Sequence, residues 1–201
     1  MIKNIVLDVG GVLVDFRWKE LMLDLGFSKE TIEHLRQEMI MSPLWHEFDR
    51  GVIDHETMIA MFKENNPGYE NDIDLLFQNA EDLVMQFDYT NAFIRELKDQ
   101  GYMVYILSNY PEYIFSIHAK TRFSFLPYID GKVVSGFVKM IKPDRDIYEY
   151  LLHTYDLKPE ECVFLDDLPK NIHTARELGM KGIVFTSYKQ AREELEKLIT
   201  L

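Results

Sequence analysis

Asp8 closes the apolar run Asn4-Ile5-Val6-Leu7 and precedes Val9-Gly10-Gly11, where small residues let backbone N–H groups approach an anion closely. Ser108-Asn109 follow a second apolar run at 102–107. Lys142 stands in Met140-Ile141-Lys142-Pro143-Asp144, and Asp166-Asp167 close a third run at 162–165. Phosphoryl transfer to a carboxylate needs such a set: an exposed aspartate, a divalent cation to gather phosphate oxygens, donors for the remaining oxygens, and a positive charge for balance. Asp8 is the candidate nucleophile. Val9 and Gly10 through their main chain, and Ser108 and Asn109 through hydroxyl and amide, are candidate phosphate binders, and Lys142 could neutralise both Asp8 and the phosphate. Two adjacent carboxylates at a strand end repel unless a cation sits between them and Asp8; magnesium, which accepts one or two carboxylates plus substrate oxygens and water, fits. Taken singly each group has a plainer reading: Asp8 as a helix cap, Ser108-Asn109 as a turn, Lys142 as a solvated lysine.

These groups need a scaffold that brings strand ends together. The apolar runs at 5–7, 102–107, 163–165 and 182–185 are rich in β-branched and aromatic residues, as in parallel strands covered on both faces. Between them, helical spacing appears at 90–100, with Thr90 as N-cap and Gly101 as stop, at 144–155 and at 170–178. Strand alternating with helix predicts an α/β fold, a Rossmann-like doubly wound parallel sheet with ligands beyond the carboxyl ends of its strands. Residues 17–86 break this order. They show helical spacing, no convincing strand, and turn signals at Ser42-Pro43 and Asn66-Pro67-Gly68. The division expected is an α/β core of 1–16 and 87–201 with an inserted helical subdomain at 17–86.

Composition narrows the partners. With 34 acidic against 22 basic residues the formal charge is −12, which argues against nucleic acid. The same field repels a phosphate ester, so a phosphate site here requires a metal ion and a local cation. No apolar run approaches the ~20 residues of a membrane span, and the N-terminus lacks the pattern of a signal peptide, so a cytoplasmic protein is expected, with no membrane partner. The single cysteine, Cys162, lies in an apolar stretch and reads as a core residue. A monomer or weak homodimer is expected.

Asp8, Ser108, Lys142 and Asp166-Asp167, in this order around a large helical insert, resemble the haloacid dehalogenase-like (HAD) hydrolase superfamily over essentially the whole chain. The resemblance implies that Asp8 is the nucleophile, that Ser108 and Lys142 bind the phosphoryl group, and that the late acidic pair holds Mg2+. It also implies that 17–86 is a helical cap. The strings Asp8-Val-Gly-Gly-Val-Leu-Val, Phe48-Asp-Arg-Gly-Val-Ile and Phe164-Leu-Asp-Asp-Leu-Pro-Lys-Asn-Ile are similar to those of sugar phosphatases of the α-glucose-1-phosphatase type. By the family spacing to Asn171, Asp167 is the direct metal ligand, with Asp8 and the carbonyl of Gly10. Asp166 ligates or orients a bound water.

One position departs from the family's phosphatases. They carry a second aspartate two residues after the nucleophile, a general acid and base worth ~10²–10⁴-fold in rate; this chain has Gly10 there. Three readings follow. The first is a phosphatase for a small phosphorylated metabolite with a good leaving group, such as a sugar 1-phosphate, acting through an aspartyl-phosphate. The second supplies the proton from elsewhere, with His46, Asp49 and Asp15 as candidates. The third is a non-catalytic phosphate-ligand or partner-binding module, against which the intact Asp8, Lys142 and Asp167 argue. Dehalogenation leaves the paired aspartates unexplained. Trp45, His46, Asp49 and Arg50, with Tyr110 and Pro111, are the candidates for the face that selects the leaving group.

Overall fold

The computed structural model describes residues 1–199. Strands β1 (Asn4–Leu7), β2 (Val14–Phe16), β3 (Val84–Gln86), β4 (Met103–Ser108), β5 (Gly131–Val134), β6 (Cys162–Asp166) and β7 (Lys181–Val184) fall into two sheets. The larger is five-stranded, in the order β5-β4-β1-β6-β7, with every pairing parallel. β1 sits at its centre because Ile5, Val6 and Leu7 are fully buried on both faces. Side chains alternate across the sheet. Val6, Tyr105, Leu107 and Phe164 pack with Ile147, Tyr148 and Leu151 of α9 (Arg145–Thr154) and with Ile172 and Ala175 of α10 (Pro169–Glu177). Ile5, Leu7, Val104, Ile106, Val163 and Leu165 belong to the opposite cluster, with Phe93, Ile94 and Leu97 of α6 (Thr90–Asp99) and Ala191 and Leu195 of α11 (Tyr188–Ile199). The doubly wound parallel sheet read from the apolar runs is the one observed.

Between β2 and β3 the chain is helical: α1 (Trp18–Asp24), α2 (Lys29–Leu35), α3 (Pro43–Arg50), α4 (His55–Asn65) and α5 (Glu70–Gln78), with a wider turn at Arg36–Ile40 after α2. Ser42-Pro43, read from sequence as a turn, starts α3: the Ser42 hydroxyl accepts from the Trp45 N–H and Pro43 takes the first turn. Asp54 caps α4 in the same way. Met22, Leu35, Met39, Trp45, Phe48, Phe62 and Phe77 of this segment join the α6-side cluster of the sheet, so its hydrophobic core is continuous with that of the α/β part.

α3 ends where it meets the α/β part. Gly51 has φ 73°, and a Cβ placed on it would lie 2.6 Å from the carbonyl oxygen of Gly136, in the short α8 (Ser135–Val138). The Ser135 hydroxyl donates to the Asp49 carbonyl, and Arg50 reaches Asp144 at 3.4 Å. Three consecutive residues thus tie the helical segment to the loop ahead of α9.

Four features differ from the sequence-based expectation. Residues 17–86 do contain a strand: β3 pairs antiparallel with β2, Phe16 opposite Val84, and two three-residue strands distant in sequence leave no readable period-2 pattern. β5 is an edge strand with Lys132 exposed, which thinned its apolar signal. α7 (Glu112–Thr121) and α11 were not anticipated. Thr90 is the first residue of α6 rather than its cap, and its hydroxyl donates to the Leu13 carbonyl at 2.6 Å. Cys162 is buried and unpaired, as expected. No helix among the described residues is long and apolar enough to cross a membrane.

Gly51→Ala combines a strained φ with a clash against main chain that cannot retreat. It is expected to destabilise the fold by about 1–3 kcal/mol, read as a lowered urea midpoint. Gly68→Ala shares the positive φ but has nothing within 4 Å of the added methyl, and should cost less.

Candidate active site

The register of β1 builds the site. Leu7 stands opposite Ile106 and Leu165, and the Asp8 N–H donates to the Leu165 carbonyl at 2.9 Å, so Asp8, Leu107-Ser108 and Asp166 form the next row at the carboxyl edge. Lys142 comes to this row from the loop ahead of α9. Its Nζ donates to the Leu107 carbonyl at 2.9 Å and to Asp166 Oδ2 at 2.7 Å, and lies 2.9 Å from Asp8 Oδ2. An ammonium has three protons to place, and all three go to oxygens of adjacent strands or the residue just beyond. The Lys142 side chain is fully buried. Burial favours the neutral amine, but Asp8 and Asp166 outweigh it and hold the lysine charged, above its ordinary range.

Asn109 holds the lysine loop. Its Nδ2 donates to the Lys142 carbonyl at 2.9 Å and its Oδ1 accepts from the Lys142 N–H at 2.8 Å. These bonds use Oδ1 and one of the two amide protons, so Asn109, which also lines the cavity, anchors the lysine loop. Asp166 is likewise spoken for. Besides Lys142, it accepts from the Leu168 N–H at 2.8 Å and from Asn171 Nδ2 at 2.9 and 3.0 Å, and it is fully buried. Three donors share its two oxygens and fix its orientation.

Asp167 points the other way. It is exposed on the cavity wall, and no hydrogen bond to its carboxylate is formed by another side chain among the described residues. Gly11, which drew no separate notice in the sequence, has φ 69°, and an added Cβ would sit 2.8 Å from Asp167 Oδ2; only glycine lets the carboxylate come so near the Asp8 loop. One carboxylate oxygen each of Asp8, Asp166 and Asp167 can be chosen so that all lie within 4.8 Å of one another. Three carboxylates against one ammonium leave excess negative charge. Burial, with Asp166 and Asp167 adding to it and Lys142 opposing, pushes Asp8 up to about 7. Burial and the neighbouring Asp166 also raise Asp167. A hard divalent cation fits this donor set.

The remaining candidates fall around the same point. The Ser108 hydroxyl, 1% exposed, has no hydrogen-bond partner, an orphan that a phosphate oxygen could satisfy. The Val9 N–H donates to Asp8 Oδ1 at 2.7 Å and so orients the carboxylate. Gly10 lines the cavity, and a Cβ on it would meet nothing within 4 Å, so the absence of a second aspartate is not imposed by space.

Above this floor lies a cavity of about 360 Å³. Phe16, Trp45, Leu83, Val84 and Ile114 give it an apolar wall, with His46, Asp49 and Asp15 among them and Lys170 at the rim. Trp45 is fixed by ring contacts with Phe16 at 6.0 Å, Phe48 at 5.7 Å and Phe62 at 5.8 Å. Tyr110 and Pro111 also line the cavity, whereas Arg50 does not and pairs with Asp144 and Glu47. The sequence reading missed His118. Buried beneath Tyr110, it accepts from the tyrosine hydroxyl at 2.6 Å and donates to the Ala80 carbonyl at 2.7 Å, joining α7 to the end of the helical segment. A histidine inside an unrecognised helix carried no signal.

A sesquiterpene phosphatase of Aspergillus oryzae is 27% identical over 98% of this chain and 96% of its own length. A D-ribitol-5-phosphate phosphatase of Bacteroides thetaiotaomicron is 27% identical over 99% of both chains. Among solved structures, a HAD family enzyme of Bacteroides thetaiotaomicron in complex with magnesium and inorganic phosphate superposes with a TM-score of 0.75 at 22% identity, covering 94% of this chain and 98% of that one. Residues 2–179 match the family described as haloacid dehalogenase-like hydrolase. With the parallel sheet, the Asp8 strand end and the acidic cluster already in place, the chain belongs to the haloacid dehalogenase-like hydrolase family.

Proposed function

We propose that this hydrolase is a Mg2+-dependent phosphatase that cleaves a small phosphate monoester through an aspartyl-phosphate on Asp8. The observation that carries the reading is the placement of Asp8, its Oδ2 2.9 Å from the buried Lys142 ammonium, on the floor of a cavity that Asp167 also lines. The phosphatases among its relatives, and the magnesium and phosphate held by a structural neighbour, support it.

In this scheme Asp8 attacks phosphorus and Lys142 balances the charge that gathers on Asp8 and the transferred group. The Ser108 hydroxyl and the Gly10 N–H bind phosphate oxygens, while the Val9 N–H, expected from sequence to join them, orients Asp8. Asp8, Asp167 and the Gly10 carbonyl would hold Mg2+, which when bound draws charge from the phosphate oxygens. Asp166 and Asn171 orient Lys142 and the acidic turn, and Asn109 fixes the lysine loop. Residues 17–86 act as a cap on a core of 1–16 and 87–201, with Trp45 and Phe16 facing the alcohol part of the ester. Their hydrocarbon wall suits a leaving group with apolar surface, so prenyl and aryl phosphates belong beside the hexose 1-phosphates expected from sequence.

A panel of hexose 1-phosphates, a pentitol 5-phosphate, prenyl phosphates and aryl phosphates should reveal at least one ester hydrolysed with Mg2+ and spared with chelator. If none is cleaved while a phosphate ligand still binds, the protein is a binding module. Asp8→Asn is expected to reduce turnover to background without a change in circular dichroism. Lys142→Met leaves Asp8 and Asp166 buried without their partner and should cost about 3–5 kcal/mol of stability, measured by denaturant unfolding.

Ionisation of Asp8 should also register in stability. Its folded value of about 7 lies above the ordinary 3.8, so the metal-free fold binds the extra proton and loses stability as pH rises through that window. A cation on the carboxylate recovers the loss. The rise in melting temperature on adding Mg2+ should therefore be larger at pH 8 than at pH 6; equal rises would count against Asp8 as a ligand.

A further inference from the structure

Gly10 leaves a gap in the chemistry, and the wall of the cavity that holds Asp8 offers a group that could fill it. Asp49 stands in the last turn of α3 and lines the cavity with Asp8, Lys142 and Asp167. Among the described residues its carboxyl has no hydrogen bond and no ion pair. Its main chain, by contrast, is anchored: the Ser135 hydroxyl donates to its carbonyl, Arg50 beside it reaches Asp144, and Gly51 beyond it abuts Gly136. Ser135 is itself held from the α/β part, its Oγ accepting from the Tyr110 N–H at 2.8 Å. The seam between the helical segment and the α/β part is therefore built around a residue whose side chain does no structural work.

We propose that Asp49 is the acid and base that serves Asp8 in place of a side chain at Gly10, acting across the cavity from the helical segment. This rests on the phosphatase reading and adds a residue to it. In the first half-reaction Asp8 Oδ forms a bond to phosphorus, the bond from phosphorus to the ester oxygen breaks, and the departing oxygen takes the proton of the Asp49 carboxyl. In the second, the Asp49 carboxylate takes a proton from water as that water's oxygen bonds to phosphorus. The bond from phosphorus to Asp8 breaks, and inorganic phosphate leaves with both carboxyl groups restored. Burial, with the charge of Asp8 adding to it and Lys142 opposing, pushes Asp49 up to about 8, so a proton is available near neutrality. His46 and Asp15 also line the cavity. His46 is exposed, and Asp15 belongs to the β2–β3 ribbon, outside the anchored seam.

The test compares wild type with Asp49→Asn in Mg2+, on p-nitrophenyl phosphate and on an alkyl phosphate that the wild type cleaves. A nitrophenolate needs no proton to depart, so Asp49→Asn should release about one nitrophenolate per site in a burst and then turn over ~10²–10⁴-fold more slowly than wild type. On the alkyl ester the same variant should show no burst and an equal or greater loss. Asp49→Ser, smaller and neutral, should repeat the pattern, and Asp49→Glu should recover part of the alkyl rate. Equal slowing on both esters without a burst, or no slowing, overturns the assignment of Asp49 and leaves the phosphatase reading standing. If the wild type cleaves no ester of the panel above in Mg2+, both readings fall.

Discussion

A single buried ammonium organises the molecule's working edge. Lys142 Nζ contacts oxygens contributed at the ends of β4, β1 and β6, the three middle strands of the sheet. Removing that charge from water costs several kcal/mol, and only the close carboxylates of Asp8 and Asp166 make the burial tolerable. The dependence runs both ways. Asp8 could not sit ionised at 7% exposure without the lysine, and the lysine could not be held without Asn109 on its main chain and Asn171 on the opposite side of Asp166. The site is thus a balance of charges supported from behind by neutral amides.

That balance is incomplete by design of the residues present. Asp167 adds a third carboxylate at a point where Gly11 permits close approach, and burial and mutual repulsion push both Asp8 and Asp167 toward their protonated forms. A chain of net charge −12 would repel an anionic ester over most of its surface. Lys142 and Lys170 are the lysines lining the cavity, and a divalent cation on the acidic cluster would reverse the remaining negative sign there.

The helical segment contributes carbon and position. Trp45, buried among Phe48, Phe62 and Phe77, is as much core as cavity wall, so the apolar wall is rigid wherever its support is shared with the fold. The short run Asp49-Arg50-Gly51 fixes where that wall stands over Asp8, through one hydroxyl, one ion pair and one glycine contact. Surface ion pairs such as Arg50 with Asp144 contribute little by themselves; the glycine contact, main chain against main chain, sets the distance.

The sequence by itself determined the parallel sheet, since Ile5-Val6-Leu7 and Val163-Phe164-Leu165 are apolar on both faces, and it placed Asp8, Ser108, Lys142 and Asp167 at strand ends or in the turn that faces them. It did not show β5 or the β2–β3 ribbon, whose strands are short, partly exposed and stabilised by partners far along the chain. Nor did it show that Asp166 meets Lys142 while Asp167 faces the cavity, or that Asn109 holds the lysine loop. Adjacent residues on a strand end point in opposite directions, and which one meets the lysine depends on the register of three strands at once. The same holds for Asp49. Its neighbours Arg50 and Gly51 meet Asp144 and Gly136, far along the chain, so the position of Asp49 on the cavity wall was decided by tertiary packing.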